Sequence, residues 1–316
     1  MPQVSVITAA YNCSGHLGRA IDSVRQQSFE DWELLIIDDA STDGTPDIAD
    51  GFASDDDRIK VWRQPVNRGP SVARNLGMSH AGGEWITILD ADDAFRPARL
   101  ERLLQLAKDS SADIVADNLV EFDDVADREV GKAFTFRGRT SRMTMLDLLD
   151  SEIARDRSSL ALLKPLIRAS ALAKHKILYR TNLRFAEDLF LYSELLLSGC
   201  EAVLLDEALY VYTTQMGELS KQKSTATKTQ FTPETRVWIA NELRRLYGDR
   251  MPQEVAGRLA QFRAFSSEYA AAHRMSEYRH RGQYRSMARL MLAEPRAAVR
   301  FMKTLRPIRD LFGTGW

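Results

Sequence analysis

Ile86-Thr87-Ile88-Leu89-Asp90-Ala91-Asp92-Asp93 is a short run of strand-forming residues that stops abruptly in three carboxylates. Alternate side chains of an extended backbone share a face, so Asp90 and Asp92 present two acids to one side. Left bare, they repel each other. A hard divalent cation, Mg2+ or Mn2+, held by one or two carboxylates and completed by substrate phosphate oxygens, removes that repulsion and creates a diphosphate site. The competing reading is a solvated acidic turn, and the neighbouring segments decide between the two.

Upstream, apolar β-branched runs alternate with helical spacing. Strands are expected over residues 4–8, 33–38, 59–62, 85–89 and 113–117, with helices over 17–27, 45–53, 71–80 and 97–108. The first helix shows the pattern well, with Leu17, Ala20, Ile21 and Val24 on one face. This rhythm predicts an α/β fold: a mixed, mainly parallel sheet flanked by helices. Ligands of such sheets sit outside the carboxyl ends of the strands. Polar residues gather there: Tyr11 and Asn12 after the first strand, Asp38 and Asp39 after the second, Asp90 to Asp93 after the fourth.

Three segments are expected. Residues 1–120 form one half of an α/β domain, and residues 121–230 form its other half. In that second half, residues 121–142 read as an irregular connection, 160–167 as a strand, 187–197 as a helix, and 203–205 and 210–212 as separate strands. Residues 217–228 read as a mobile loop. Residues 231–316 are compatible with helix almost throughout, over 235–247, 253–275, 278–293 and 295–305, and form a helical appendix. From residue 279 onward nine Arg and Lys face only Glu294 and Asp310. Around residues 296–311, Val299, Phe301, Met302, Leu305 and Ile308 interleave with Arg300, Lys303, Arg306 and Arg309. Such a helix lies on anionic lipid, on its own protein, or on a second subunit of a homodimer.

Composition narrows the classes. A chain of 316 residues with 44% hydrophobic content buries a large core. A formal net charge of −1 argues against a nucleic-acid binder. Cys13 and Cys200 match no metal-ligand spacing and suit a reducing cytosol. No basic region followed by an apolar stretch opens the chain, and no run of about 18 apolar residues occurs. The expectation is a cytoplasmic protein, peripheral at most to the inner face of the plasma membrane.

Two adjacent acids at a strand end exceed what helix capping needs, although Asp43 or Thr45 suits a cap. A carboxylate there can accept the ring N–H of uracil or a ribose hydroxyl. In this respect the sequence resembles glycosyltransferase family 2, the inverting GT-A enzymes that use nucleotide sugars. The matching stretches are Val4-Ser5-Val6-Ile7-Thr8-Ala9-Ala10-Tyr11-Asn12, Val24-Arg25-Gln26-Gln27-Ser28, Ile37-Asp38-Asp39-Ala40-Ser41-Thr42-Asp43-Gly44-Thr45, Asn67-Arg68-Gly69-Pro70-Ser71-Val72-Ala73-Arg74-Asn75 and Leu89-Asp90-Ala91-Asp92-Asp93. A weaker likeness, through residues 112–118 and Leu163-Lys164-Pro165-Leu166, points to the succinoglycan glucosyltransferases of bacterial exopolysaccharide synthesis.

The resemblance implies roles: residues 1–120 as the nucleotide-sugar-binding half and residues 121–230 as the acceptor-binding half of one catalytic domain. Tyr11 stacks on uracil and Asp39 hydrogen-bonds it, with Ala9 alongside in the nucleotide-sugar site. Arg74 reaches the pyrophosphate. Asp90 contacts ribose or metal-bound water, and Asp92 holds Mg2+ or Mn2+. The family takes its general base from an acidic pair at a helix start, which fits Glu187-Asp188: Asp188 as base, Glu187 orienting it or the acceptor. Ser220, Lys221 and Lys223 can fold over the phosphates. The implied reaction moves one sugar, glucose from UDP-glucose, onto a polyprenyl-diphosphate-linked glycan. The alternatives are lipopolysaccharide or capsule synthesis, or a non-catalytic nucleotide-binding scaffold. Sugar nucleotidyltransferases are disfavoured, because no glycine lies in residues 9–14. The Gln-x-x-Arg-Trp signature of processive synthases is missing too, which implies one addition per encounter.

Overall fold

The alternating segments fold as β1 (Val4–Ala10), α1 (Leu17–Arg25), β2 (Trp32–Asp38), α2 (Thr45–Asp55), β3 (Ile59–Arg63), α3 (Pro70–His80) and β4 (Trp85–Ile88). The computed structural model describes residues 1–136, 138–154, 159–214 and 234–304. The chain divides into two compact units, Met1–Lys228 and Thr229–Trp316. In the first, β3, β2, β1 and β4 lie side by side in that order, all parallel. All seven residues of β2 are buried, which explains its unbroken apolar run. Helix α1 covers the sheet with Leu17, Ala20, Ile21 and Val24, as its spacing predicts. Helix α3 lies so close to β1 that a Cβ on Gly77 would collide with the Ile7 side chain.

The other half of the sheet departs from simple alternation. After β5 (Ala94–Phe95) and α4 (Arg99–Ser110), β6 runs from Ile114 to Asp123, beyond its expected end. The stretch read as irregular holds two further strands, β7 (Arg128–Lys132) and β8 (Thr140–Met143). All five β7 residues are exposed, so β7 carries no apolar alternation to betray it. Helix α5 (Met145–Ile153) follows, opened by a capping box between Thr144 and Asp147.

The strand expected over residues 160–167 is instead a single 3-10 turn (Leu160–Leu162) followed by the short β9 (Leu166–Arg168). β9 is antiparallel to both β4 and β6 and is inserted between them. The sheet is therefore mixed. Helices α6 (Ala169–His175) and α7 (Glu187–Leu197) precede β10 (Ala202–Thr214). The two strands expected at residues 203–205 and 210–212 are one, with register shifts between Leu205 and Tyr210 where it bends along β6. The loop expected at 217–228, with Ser220, Lys221 and Lys223, lies outside the described residues.

The second unit holds α8 (Glu234–Tyr247), α9 (Gln253–His280), α10 (Tyr284–Ala293) and α11 (Pro295–Thr304). Helix α9 continues past its expected end and breaks at Gly282, whose φ of 70° lies in the left-handed region. Phe301, on the apolar stripe for which lipid, the protein itself and a second subunit were all open, is only 2% exposed and packs with Ala297 and Ala298 against Ala271, Ala272 and Met275 of α9. Arg300 pairs with Glu268 and lies over the Phe265 ring. This part of the tail therefore packs on its own unit, while Val299 and Met302 stay exposed. Leu305, Arg306, Ile308 and Arg309 lie outside the described residues.

At the amino-terminal ends of the strands, Glu33 accepts hydrogen bonds from Ser5 Oγ (2.7 Å), the Gly82 N–H (2.7 Å) and Lys60 Nζ (2.8 Å). Burial pushes its carboxyl up, but these donors outweigh it and hold the pKa below the usual glutamate range. Glu33→Gln should destabilise the protein by about 1–3 kcal/mol at neutral pH. A folded pKa below the unfolded one adds stability above the unfolded value, about 4.3, and loses it as pH falls through the folded value. The wild-type advantage in denaturant melts should accordingly shrink in acid.

Candidate active site

The carboxyl ends of β1 and β2 are tied to each other by side chains of the loops that follow them. Ala10 pairs with Asp38 at the end of the β1–β2 register. Just beyond, Asn12 Oδ1 accepts from the Thr42 N–H (2.8 Å), and Ser41 Oγ accepts from the Asn12 N–H (3.0 Å). Asn12 and Ala40 both adopt left-handed backbone, at φ 49° and 62°. Each such non-glycine residue costs roughly 1–2 kcal/mol, strain of the kind found at functional loops. Asp43 accepts from the N–H groups of Ser14 (3.1 Å) and Thr45 (3.0 Å) and so opens α2, as a capping residue would.

Tyr11 follows β1 at this rim with its side chain 46% exposed, and Ala9 sits half-buried two residues earlier. Asp39 is buried. Its Oδ1 accepts from Gln64 Nε2 (2.7 Å) and the Arg68 N–H (2.8 Å), and its Oδ2 from the Gly69 N–H (2.7 Å). It therefore fastens the loop ahead of α3. Gly69 has φ 88°, and a Cβ there would press on the Arg184 guanidinium.

Helix α3 then reaches the other half of the unit with three side chains of its first turns, Ser71, Arg74 and Asn75. Ser71 Oγ donates to the Leu183 carbonyl (3.0 Å), and Asn75 exchanges two hydrogen bonds with the Tyr179 backbone (2.8 and 2.9 Å). Arg74, between them, donates from Nη2 to Asp90 Oδ1 and from Nη1 to Glu187 Oε1, both at 2.8 Å. Asp188 Oδ1 lies 3.8 Å from Nη1.

Lys164 completes the cluster. Its Nζ lies 2.7 Å from Asp188 Oδ2 and 3.1 Å from Asp90 Oδ2. Tyr179 donates its hydroxyl to Asp188 Oδ1 at 3.0 Å. The acid pair begins α7, directly after Ala186 at φ 58°. Residues 188–195 of that helix are all buried. The strained start, the helix N-terminus and two cations hold two adjacent carboxylates in a nearly closed space.

The electrostatics sort the acids. Burial alone would raise the pKa of Asp90, but Lys164 and Arg74 override it and hold the carboxyl well below its usual range. Burial likewise disfavours the Lys164 ammonium, and Asp188 and Asp90 more than compensate, raising its pKa. Asp92 goes the other way: burial, then the Asp90 charge, push it up. No other described residue donates a hydrogen bond to the Asp92 carboxylate. Arg74 and Lys164 stand against Asp90, Asp92, Glu187 and Asp188, an excess of two negative charges. That is the charge a divalent cation supplies. No group of three or more His, Cys, Asp or Glu among the described residues is arranged to hold a metal alone. The donor set thus fits Mg2+ or Mn2+ carried by Asp92 with phosphate oxygens, the sparse protein ligation typical of Mg2+ sites.

Asp93 faces away from this space. It accepts from the Tyr210 hydroxyl (2.7 Å) and the Thr213 N–H (2.8 Å), while the Tyr210 hydroxyl accepts from the Asp90 N–H (3.2 Å). Arg19 Nη2 donates to the Asp92 carbonyl and to Thr213 Oγ1. The acidic loop is therefore fixed from β10 and α1. Burial holds the Cys13 and Cys200 thiols up at about 11, which leaves no thiolate nucleophile at neutral pH.

Arg74, expected at a pyrophosphate, has both terminal nitrogens engaged with carboxylates and a side chain 6% exposed. Lys164, Tyr179 and Tyr210 were not foreseen at the site. For Lys164 a signal existed, a single charge within the apolar run Leu160-Ala161-Leu162-Leu163-Lys164-Pro165-Leu166-Ile167. A lone cation in such a run is buried only if paired.

A sheet of this order, with an acidic loop after β4 and an acidic pair opening a buried helix, defines a GT-A nucleotide-sugar fold. The family model described as Glycosyl transferase family 2 matches residues 5–163, just over half of the chain, and the chain belongs to that family. It is 32% identical over 224 residues to the succinoglycan biosynthesis protein ExoO of Rhizobium meliloti, covering 70% of this chain and 63% of that protein. It is 34% identical over 152 residues to the GalNAc(5)-diNAcBac-PP-undecaprenol beta-1,3-glucosyltransferase of Campylobacter jejuni, covering 47% and 48% of the two. The chain thus matches less than two-thirds of either relative's length. The crystal structure of S. aureus TarS 1-349 in complex with UDP-GlcNAc superposes with a TM-score of 0.68 at 23% identity, over 84% of this chain and 73% of that one.

Removing the Tyr210 hydroxyl leaves a buried carboxyl and a buried N–H short of a partner. Tyr210→Phe should cost about 1–3 kcal/mol in chemical denaturation.

Proposed function

We propose that the protein transfers a single hexosyl group, with inversion, from a UDP-sugar to a polyprenyl-diphosphate-linked glycan in bacterial exopolysaccharide synthesis. UDP-glucose is the donor we infer. One observation carries this reading: Asp188, at the start of α7, is held by Lys164 and Arg74 against the acidic loop after β4. A base on one side and a diphosphate site on the other are what inversion at an anomeric carbon requires. The likeness to a succinoglycan protein supports the pathway, and the name of the Campylobacter relative supports a lipid-linked acceptor.

In this mechanism Tyr11 stacks on uracil at the exposed rim, beside Ala9, and Asp39 presents its remaining acceptor capacity to the base or ribose. Asp90 contacts the ribose. Asp92 would hold Mg2+ or Mn2+, which, when bound, neutralises charge on the departing diphosphate. Arg74 serves by holding Asp90 and Glu187 and by placing a buried positive charge beneath that diphosphate. Asp188 removes the proton of the acceptor hydroxyl as its oxygen bonds to the anomeric carbon. The bond from that carbon to the diphosphate oxygen breaks on the opposite face, releasing UDP. Glu187 orients the acceptor. Ser220, Lys221 and Lys223 are proposed to contact the phosphates. An acceptor of this kind locates the reaction at the inner face of the plasma membrane. Among the described residues no helix is long and apolar enough to cross a membrane.

The test is a panel of nucleotide sugars with Mg2+ or Mn2+, scored for nucleoside-diphosphate release with membrane lipid extract as acceptor. UDP-glucose should be turned over, and Asp188→Asn should lower kcat about 10²–10⁴-fold while still binding UDP. Undiminished transfer by Asp188→Asn would remove Asp188 as the base. Asp92→Asn should lose the stimulation of turnover by added metal, read as a flat metal titration. A wild type that binds UDP and turns over no sugar would favour the scaffold reading.

A further inference from the structure

Lys164 is a buried lysine whose main chain is fastened from two sides. Its carbonyl accepts from Thr87 Oγ1 of β4 (3.3 Å) and from Arg99 Nη2 of α4. Arg99 in turn chelates Asp117 of β6 and lies over the Phe95 and Tyr210 rings. One residue earlier, the Leu163 carbonyl accepts from the Tyr192 hydroxyl of α7 at 2.7 Å. The backbone that carries Lys164 is therefore tied to the strand bearing the acidic loop and to the helix bearing the acid pair. Its side chain, 5% exposed, spans the space between the two.

Stability is a poor reason for this arrangement, because burying an ammonium between carboxylates often does no better than an apolar residue of similar volume. Geometry is a better one. We propose that Lys164 is a positioning residue of the transfer reaction: by bridging Asp188 Oδ2 and Asp90 Oδ2 it sets the distance between the general base and the donor site. The proposal rests on the reading of Asp188 as base. Tyr179 holds the other oxygen of Asp188, so the ammonium and the phenol together aim the carboxylate. Arg74 reaches Asp188 only at 3.8 Å, because its terminal nitrogens are hydrogen-bonded to Asp90 and Glu187, so it fixes neither Asp188 oxygen at hydrogen-bond distance.

The test compares wild type, Lys164→Met, Lys164→Arg and Asp188→Asn in the full chain, measuring kcat, donor KM and calorimetric binding of UDP. Lys164→Met should lower kcat about 10²-fold, the usual cost of roughly 1 Å of misplacement, with donor KM and UDP affinity within about threefold. Lys164→Arg should recover at least about tenfold of that loss. Should Lys164→Met fail to fold, Lys164→Gln, neutral but still a donor, carries the same comparison. If Asp188→Asn is inactive and the neutral variant keeps wild-type kcat, the positioning role is refuted. A neutral variant that keeps kcat but loses about tenfold in donor KM and UDP affinity would make Lys164 a donor contact and equally overturn the proposal. If Asp188→Asn keeps its kcat, the base reading has failed, whatever Lys164 does.

Discussion

The pairing of Arg74 and Lys164 with Asp90, Glu187 and Asp188 is the constraint on which the rest of the site depends. The acids belong to distant parts of the chain, and like charges so close together would drive those parts apart. Two cations placed between them turn that repulsion into a joint. Helix α3 is the hinge pin. From a single face it offers Ser71, Arg74 and Asn75 to the segment that leads into α7, while Gly77 lets it settle onto β1.

The joint is incomplete by design of its charge. Two cations offset two of four carboxylates, and Asp92 is left at the rim with a raised pKa and no donor from another described residue. Three of the six described non-glycine residues with left-handed backbone, Asn12, Ala40 and Ala186, lie in the loops of this site. Strain and uncompensated charge are costs that folding alone does not repay. Both are expected where a ligand is to be bound, because the ligand relieves them.

Much of the first half was legible in the sequence, for physical reasons. Buried parallel strands are continuous apolar runs, and α1 shows its face at helical spacing, so β1, β2, β4 and α1 are visible without coordinates. β7 and β8 were hidden because edge strands in water need no apolar pattern. β9 was misread in extent, since a buried 3-10 turn and a buried strand are equally apolar. At the site, acids clustered at strand ends were recognisable by type and spacing. The partners of those acids were not: Lys164 and Tyr179 meet Asp188 through tertiary contacts alone, and nothing local shows that Arg74 pairs with carboxylates. The amphipathic end of the chain left its partner open for a similar reason. Its apolar stripe finds α9, and the sequence carries no mark that separates that partner from lipid.

In the proposed reaction a diphosphate and its metal lie on the Asp92 side and the acceptor on the Asp188 side, with the sugar between them. A crystal structure with Mn2+ and a non-hydrolysable UDP-hexose, phased to show the anomalous signal of manganese, tests this directly. The expected result is an anomalous peak beside the Asp92 carboxylate, with Asp188 facing the anomeric carbon from the side opposite the diphosphate. Manganese bound away from Asp92, or Asp188 on the diphosphate side of the sugar ring, would contradict it.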